Sequence, residues 1–116
     1  MAIKLTFDQA LDIWRGAILE TVRRDAPDLT ARQMAVVLSV YLAPPPHTVR
    51  GLAKILNVSK PAITRALDRL EKLDFVKRKV DDQDRRSVLI QRTVNGSVYL
   101  RETADLIVAA GEASER

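Results

Sequence analysis

The sequence predicts a mainly α chain with one small β-hairpin, an α+β fold of 116 residues. Three observations predict it. Helix-start signals followed by apolar residues at helical spacing recur along the chain. Two short striped segments, residues 48–56 and 59–73, are separated only by Asn57 and Val58. Directly after them, two runs rich in β-branched residues flank a polar turn, the pattern of a hairpin. Charge gathers in the same place. Residues 48–92 hold 12 Lys/Arg against 6 Asp/Glu and the remainder 7 against 9, so a net +4 hides a basic centre between mildly acidic flanks. Such a centre suits a polyanion.

In chain order, Thr6-x-x-Gln9 has the spacing of a capping box and starts a helix of about eighteen residues. Phe7, Leu11, Trp14, Ile18 and Val22 make one stripe along it, widened by Ala10, Ile13 and Ala17. That stripe reads first as core. Alternatively, part of it meets a second subunit, or Trp14 lines a small-molecule pocket. Pro27 ends the helix, because the residue before a proline disfavours the helical region. Thr30-x-x-Gln33 repeats the box, and Met34, Val37, Leu38 and Tyr41 make a second amphipathic helix over the core. Pro44, Pro45 and Pro46 stop it as a stiff spacer, a structural loop before it is a ligand for a proline-reading domain. His47 reads as a surface or loop-packing residue.

Thr48 can cap a short helix to Leu56, striped by Val49, Leu52 and Ala53. Ser59 is a natural cap for the next, since its hydroxyl can accept from the unpaired N–H groups of the first turn. Pro61 falls in that turn, where its missing N–H costs little. At about 100° per residue, Ile63, Ala66, Leu67, Leu70 and Leu73 share an arc of roughly 120°. Pro61, Thr64, Arg65, Asp68, Arg69 and Lys72 lie opposite, so one face is buried and a basic face displayed. Two short helices joined this tightly make a helix-turn-helix signature; a plain core hairpin is the competing reading.

Asp74 to Val80 then reads as a strand, Asp81 to Arg86 as a polar turn, and Ser87 to Thr93 as the return strand. A hairpin whose tip carries Arg85 and Arg86 is the wing of a winged helix. Such a wing can put an arginine into a minor groove. Thr93 can cap a last helix through Val98, Leu100, Ala104, Ile107, Val108 and Ala110, with Asn95 and Gly96 weakening its first turn. Gly111 and the polar residues 112–116 read as a frayed end. With no internal repeat or linker, the chain is expected to be one domain, 1–116. It comprises an N-terminal helix (1–29), a core (30–93) and a C-terminal helix (94–116).

Composition removes several classes. There are no cysteines, hence no disulfides, thiol redox sensing or Cys-type zinc sites. One histidine and scattered carboxylates suggest no metal site, and no cofactor is expected. No nucleophile–base pair or Gly-rich phosphate loop can be assembled, so an enzyme is the weakest reading. No apolar run approaches the roughly 20 residues that cross a bilayer. Asp8 and Asp12 interrupt any signal-peptide pattern. A cytoplasmic protein without a membrane partner is expected.

The motifs resemble the MarR family of bacterial transcription regulators. They are Thr30-x-x-Gln33, Val49-x-x-Leu52-Ala53, the run Val58-Ser59-Lys60-Pro61-Ala62-Ile63-Thr64-Arg65-x-Leu67-Asp68-x-Leu70-Glu71, Val76-x-Arg78, Asp81-x-x-Asp84-x-Arg86 and Thr93-x-x-Gly96. The match runs roughly from Thr30 to Gly96, and its most specific parts are the Asp-x-Arg wing element and the Thr-Arg-x-Leu-Asp helix. The resemblance implies a dimeric winged helix on pseudo-palindromic duplex DNA, often a repressor. Two departures stand out. Asp74 replaces the glycine usual after the recognition helix, and the family's C-terminal dimerisation region is reduced.

The leading expectation is therefore a sequence-specific regulator with its recognition helix in the major groove, which admits a helix. Ser59, Lys60, Pro61, Thr64 and Arg65 would lie nearest the bases or flanking phosphates, with Arg69 and Lys72 mainly on phosphate. Thr48 and Arg50 would fix register on the backbone. In the wing, beside Arg85, the family pattern sends Arg86 to the minor groove with Asp84 holding its guanidinium. A homodimer is expected through the terminal helices, by some of Ile3, Leu5, Ile13, Trp14, Leu100, Ile107 and Val108. The alternative is a winged-helix protein-interaction module that has lost DNA binding. Relatives often bind small phenolic or anionic effectors between the DNA-binding and dimer regions; no residue pattern of this chain adds support for one.

Overall fold

Both capping boxes close in the computed structural model, which describes residues 3–115; Met1, Ala2 and Arg116, the ends of the expected 1–116 domain, lie outside them. Thr6 and Gln9 exchange side-chain and backbone hydrogen bonds at 3.0 and 3.1 Å, and α1 runs Phe7–Arg23. Thr30 and Gln33 do the same to start α2, Ala31–Leu42. The next elements are α3 (Val49–Leu56), α4 (Lys60–Lys72), the antiparallel strands β1 (Val76–Val80) and β2 (Val88–Arg92), and α5 (Val94–Ser114). The expected fold class, a winged helix-turn-helix with terminal helices, is the observed one.

Two compact units divide the chain: Leu29–Tyr99, and Met1–Asp28 with Leu100–Arg116. The first holds the helix-turn-helix and wing. Its core joins Val36, Val37 and Val40 of α2, Leu52 of α3, Ile63, Leu67 and Leu70 of α4, and Phe75, Val76, Ile90 and Tyr99. In α2 the burial lies on the valines, while Met34 and Leu38 are only half-buried. Phe75 and Tyr99 stack with ring centroids 4.3 Å apart. His47 is buried in the α2–α3 loop, its Nε2 3.0 Å from the Ala43 carbonyl, and its own carbonyl accepts from Ile90 N at 2.9 Å.

Both helix ends around α4 use the left-handed region. Asn57 has φ 55° and Asp74 φ 61°, a conformation that asparagine and aspartate tolerate better than most side chains. After α4, Phe75 N donates to Leu70 O at 2.8 Å and Asp74 N to Glu71 O at 2.9 Å. This is the paired closure of a Schellman motif. Asp74 thus takes the left-handed position after α4, and the helix stops there.

Gly96 corrects the sequence reading. It does not merely weaken the first turn of α5. The Tyr41 hydroxyl sits 2.8 Å from Phe75 O and 3.0 Å from Thr93 O, and accepts from Thr93 N at 2.9 Å. A Cβ on Gly96 would collide with that hydroxyl and with the Phe75 carbonyl. Thr93 does cap the helix, accepting from Gly96 N at 2.9 Å. The expected fraying after Gly111 is also replaced, since α5 continues to Ser114.

In the other unit, α1 and α5 come close at Gly16, where an added Cβ would lie 3.3 Å from Ala110 Cβ. Arg24 Nη2 donates to Thr103 Oγ1 at 2.9 Å. The stripe on α1 is not core. Phe7 is 78% exposed, Trp14 66% and Val22 62%, and Ala17 is the helix's buried position. The reading of that stripe as core is overturned, and Trp14 is too open to line an enclosed pocket.

Candidate nucleic-acid interface

Ser59 starts the helix that presents the basic face. Its Oγ accepts from Ala62 N at 3.2 Å, leaving its O–H able to donate outward. Pro61 occupies the first turn. Ala62, Ile63, Ala66, Leu67 and Leu70 are buried, which turns Lys60, Pro61, Thr64, Arg65, Arg69 and Lys72 outward, all exposed. The cap of α3 uses the same economy: Thr48 Oγ1 accepts from Gly51 N at 3.0 Å, and Arg50 is exposed beside it. The turn between these helices is Asn57 and Val58, closed by Val58 N donating to Ala53 O at 3.1 Å. Of the nine helix residues named from the sequence, eight are exposed and Thr48 is half-buried.

The hairpin pairs in the register Val76↔Arg92 to Val80↔Val88, which leaves residues 81–87 as its tip. Two aspartates build that tip. Asp81 Oδ1 accepts from Gln83 N at 2.9 Å. Asp84 Oδ1 accepts from Arg86 N at 3.1 Å and lies 3.4 Å from Arg86 Nε, while Ser87 Oγ donates to Asp84 Oδ2 at 3.3 Å. The Arg86 side chain is 94% exposed, so one end is held while the guanidinium faces solvent. Arg85 is exposed beside it. Asp84 thus orders the backbone of the turn as well as lying against its arginine.

One residue at the root of the wing was quoted from the sequence without a role. Arg78 Nη2 donates to Asp68 Oδ1 at 2.8 Å and to Glu71 Oε1 at 3.0 Å, and Arg78 N donates to Glu71 Oε2 at 3.1 Å. The hydrogen bond from Arg78 leads the effects that hold Glu71 below the ordinary glutamate range. The two carboxylates in turn push the guanidinium further up. A signal existed. Val76 and Arg78 share one face of β1, and a cation beside a buried valine needs an anionic partner.

Among the described residues no group of three or more His, Cys, Asp or Glu could hold a metal, and no helix is long and apolar enough to cross a membrane. The expected subunit-contact residues Ile3, Leu5, Trp14, Ile107 and Val108 are exposed, whereas Ile13 and Leu100 are half-buried.

Comparison with known proteins fits this geometry. The MarR family model matches residues 29–88. The multiple antibiotic resistance protein MarR of Escherichia coli strain K12 is 35% identical over 80 residues, 69% of this chain and 55% of that protein. The chain thus spans about half the length of that relative. A mutant MarR from E. coli complexed with operator DNA superposes with a TM-score of 0.68 at 29% identity, covering 86% of this chain and 69% of the other. A mutant MepR from S. aureus superposes with a TM-score of 0.77 at 20% identity, covering 95% and 81%, and supports the fold alone.

Proposed function

The chain belongs to the MarR family of transcription regulators, and on that premise we propose that it is a sequence-specific, duplex-DNA-binding repressor acting as a homodimer. The observation that carries this reading is the outward face of α4. Its apolar residues are consumed by the core, and Lys60, Thr64, Arg65, Arg69 and Lys72 are displayed together. A helix so presented fits the major groove, about 12 Å wide. Thr64 and Arg65, near its start, meet base edges. Ser59, Lys60 and Pro61 lie against the flanking backbone, and Arg69 and Lys72 meet phosphate farther along. Thr48 and Arg50 anchor the register without reading sequence. Arg86 enters the adjoining minor groove, with Asp84 holding the turn and Arg85 on the neighbouring phosphate.

A single winged helix makes few contacts, and a two-fold dimer doubles them on a pseudo-palindrome whose half-sites lie about one helical turn apart. The exposed apolar residues of α1 and α5 support a second copy of the chain as their partner. Selection from a random duplex pool tests the whole reading. The expected result is an inverted pair of half-sites about 10 base pairs apart; failure to enrich any duplex overturns it. The same selection decides against the protein-interaction alternative if the enriched sequences share a half-site.

A further inference from the structure

The wing is a two-stranded ribbon, and such a ribbon is marginal without external support. Its root is held to α4 by Arg78. That side chain is 26% exposed, while its partners Asp68 and Glu71 are 60% and 40% exposed. Both carboxylates stand three residues apart on the outward side of α4, next to Thr64, Arg65 and Lys72. Left alone, two anions there would oppose an approaching phosphate backbone. Arg78 turns them toward β1, and its fork and backbone N–H give three bonds of 2.8–3.1 Å between strand and helix. A planar guanidinium suits this task because its donors diverge at fixed angles, which an ammonium cannot reproduce.

We infer that Arg78 is a positioning residue for DNA reading, clasping Asp68 and Glu71 from β1 so that recognition helix and wing meet the duplex in one arrangement. The clasp rests on the proposed DNA-binding function. It does not touch DNA itself. It sets the direction in which the hairpin leaves the helix, and so where Arg86 arrives. Fixing that direction before binding removes an ordering cost from association.

The test uses the full chain and two duplexes with the same selected half-sites, one with A·T-rich and one with G·C-rich flanks. The wild-type protein is expected to prefer the A·T-rich duplex, because a narrow minor groove concentrates negative potential around an inserted arginine. In Arg78→Ala the ratio of affinities falls to about one while preference within the half-site persists. A variant that merely lost folded material would bind both duplexes less and keep the ratio. Arg78→Lys keeps the charge without the fork and regains little of the ratio. The double variant Asp68→Asn with Glu71→Gln opens the clasp from the other side, leaves Arg78 in place and should lose the ratio as well, although it removes two negative charges. Adding Arg78→Ala to that double variant then changes nothing more. The inference is overturned if Arg78→Ala keeps the flank ratio, if Arg78→Lys restores it fully, or if the Arg78 effect is undiminished in the double variant, as for a direct phosphate contact. A wild-type chain that binds no duplex overturns the proposed function, and the clasp as a DNA-reading device falls with it.

Discussion

Gly96→Ala sets two physical effects against each other with opposite signs. Gly96 lies inside α5, where alanine is favoured over glycine by about 1 kcal/mol. Its φ is not positive, so the backbone itself would accept alanine. Propensity alone therefore predicts a stabler protein. Space predicts the reverse. The new Cβ would fall on the Tyr41 hydroxyl and the Phe75 carbonyl, with the Tyr41 ring carbon Cζ 2.8 Å away. Moving the tyrosine aside breaks one donated and one accepted hydrogen bond and leaves Thr93 N and a carbonyl unpaired. At about 1–2 kcal/mol each, the two losses cost roughly 3 kcal/mol. The net loss is about 2 kcal/mol, or roughly 10 °C in Tm for a chain of this size. Thermal denaturation followed by circular dichroism measures it. Tyr41→Phe supplies the control, because it removes the hydroxyl while keeping most of the ring: Gly96→Ala should cost less in that background than in the wild type. A Gly96→Ala protein as stable as the parent would refute the steric argument and leave propensity in command.

Further outcomes follow from the interface. Arg65→Ala should weaken the best site by about 1–3 kcal/mol and relax preference at one base position, whereas Lys72→Ala should weaken all duplexes alike and lower the salt slope by about one; mobility shifts over a salt series distinguish them, and uniform loss for Arg65→Ala would remove its reading role. Asp84→Ala should weaken binding although it removes a negative charge, because Arg86 N and Ser87 lose the acceptor that orders the tip; tighter binding in the same assay would mean that charge balance governs the wing. Paired Trp14→Asp and Ile107→Asp substitutions should convert a dimer sedimenting at micromolar concentration into a monomer with unchanged circular dichroism. They serve better than removing residues 98–116, which would also remove Tyr99 from its stack on Phe75, and a wild-type chain that sediments as a monomer with its operator present would refute the dimer. For Glu71, a folded-state pKa below its unfolded value means the clasp contributes fully above the unfolded pKa and is lost as pH falls through the folded one. Protection of the Arg78 amide against exchange, relative to its intrinsic rate at each pH, should therefore fall in the acid range, and more so than in Glu71→Gln.

Local signals carried most of the fold. Each helix start depends on residues at most three positions apart, as at Thr6 and Gln9 or Ser59 and Ala62, so spacing alone reveals it. The buried face of α4 was legible for the same reason: one helical period decides which side Ile63, Leu67 and Leu70 occupy. Long-range geometry was not legible. The Tyr41 hydroxyl reaches Thr93 across 52 positions, and nothing beside Gly96 in the sequence announces that a phenol will fill the space of its missing side chain. The clasp of Arg78 spans 7 and 10 positions across a helix end and a turn. Its partners are recognisable only once the register of β1 is known.

The stripe on α1 shows a different limit, one of principle. A helix facing its own core and a helix facing a partner both need apolar residues at three- and four-residue spacing, so periodicity cannot separate them. Burial separates them. The α4 stripe falls below a few per cent exposure at Ile63, Leu67 and Leu70, whereas Phe7, Leu11, Trp14, Ile18 and Val22 keep 42–78% of theirs. Five large apolar side chains left open along one helix form a patch that isolated soluble chains rarely display. Sequence pattern and burial taken together thus divide the work between the units. In residues 29–99, α4 presents a basic face while its apolar stripe is buried, and α1 with the later part of α5 presents apolar side chains that stay exposed. In the homodimer we propose, a second copy of the chain covers that surface, and its two-fold axis would match the symmetry of an inverted repeat in duplex DNA.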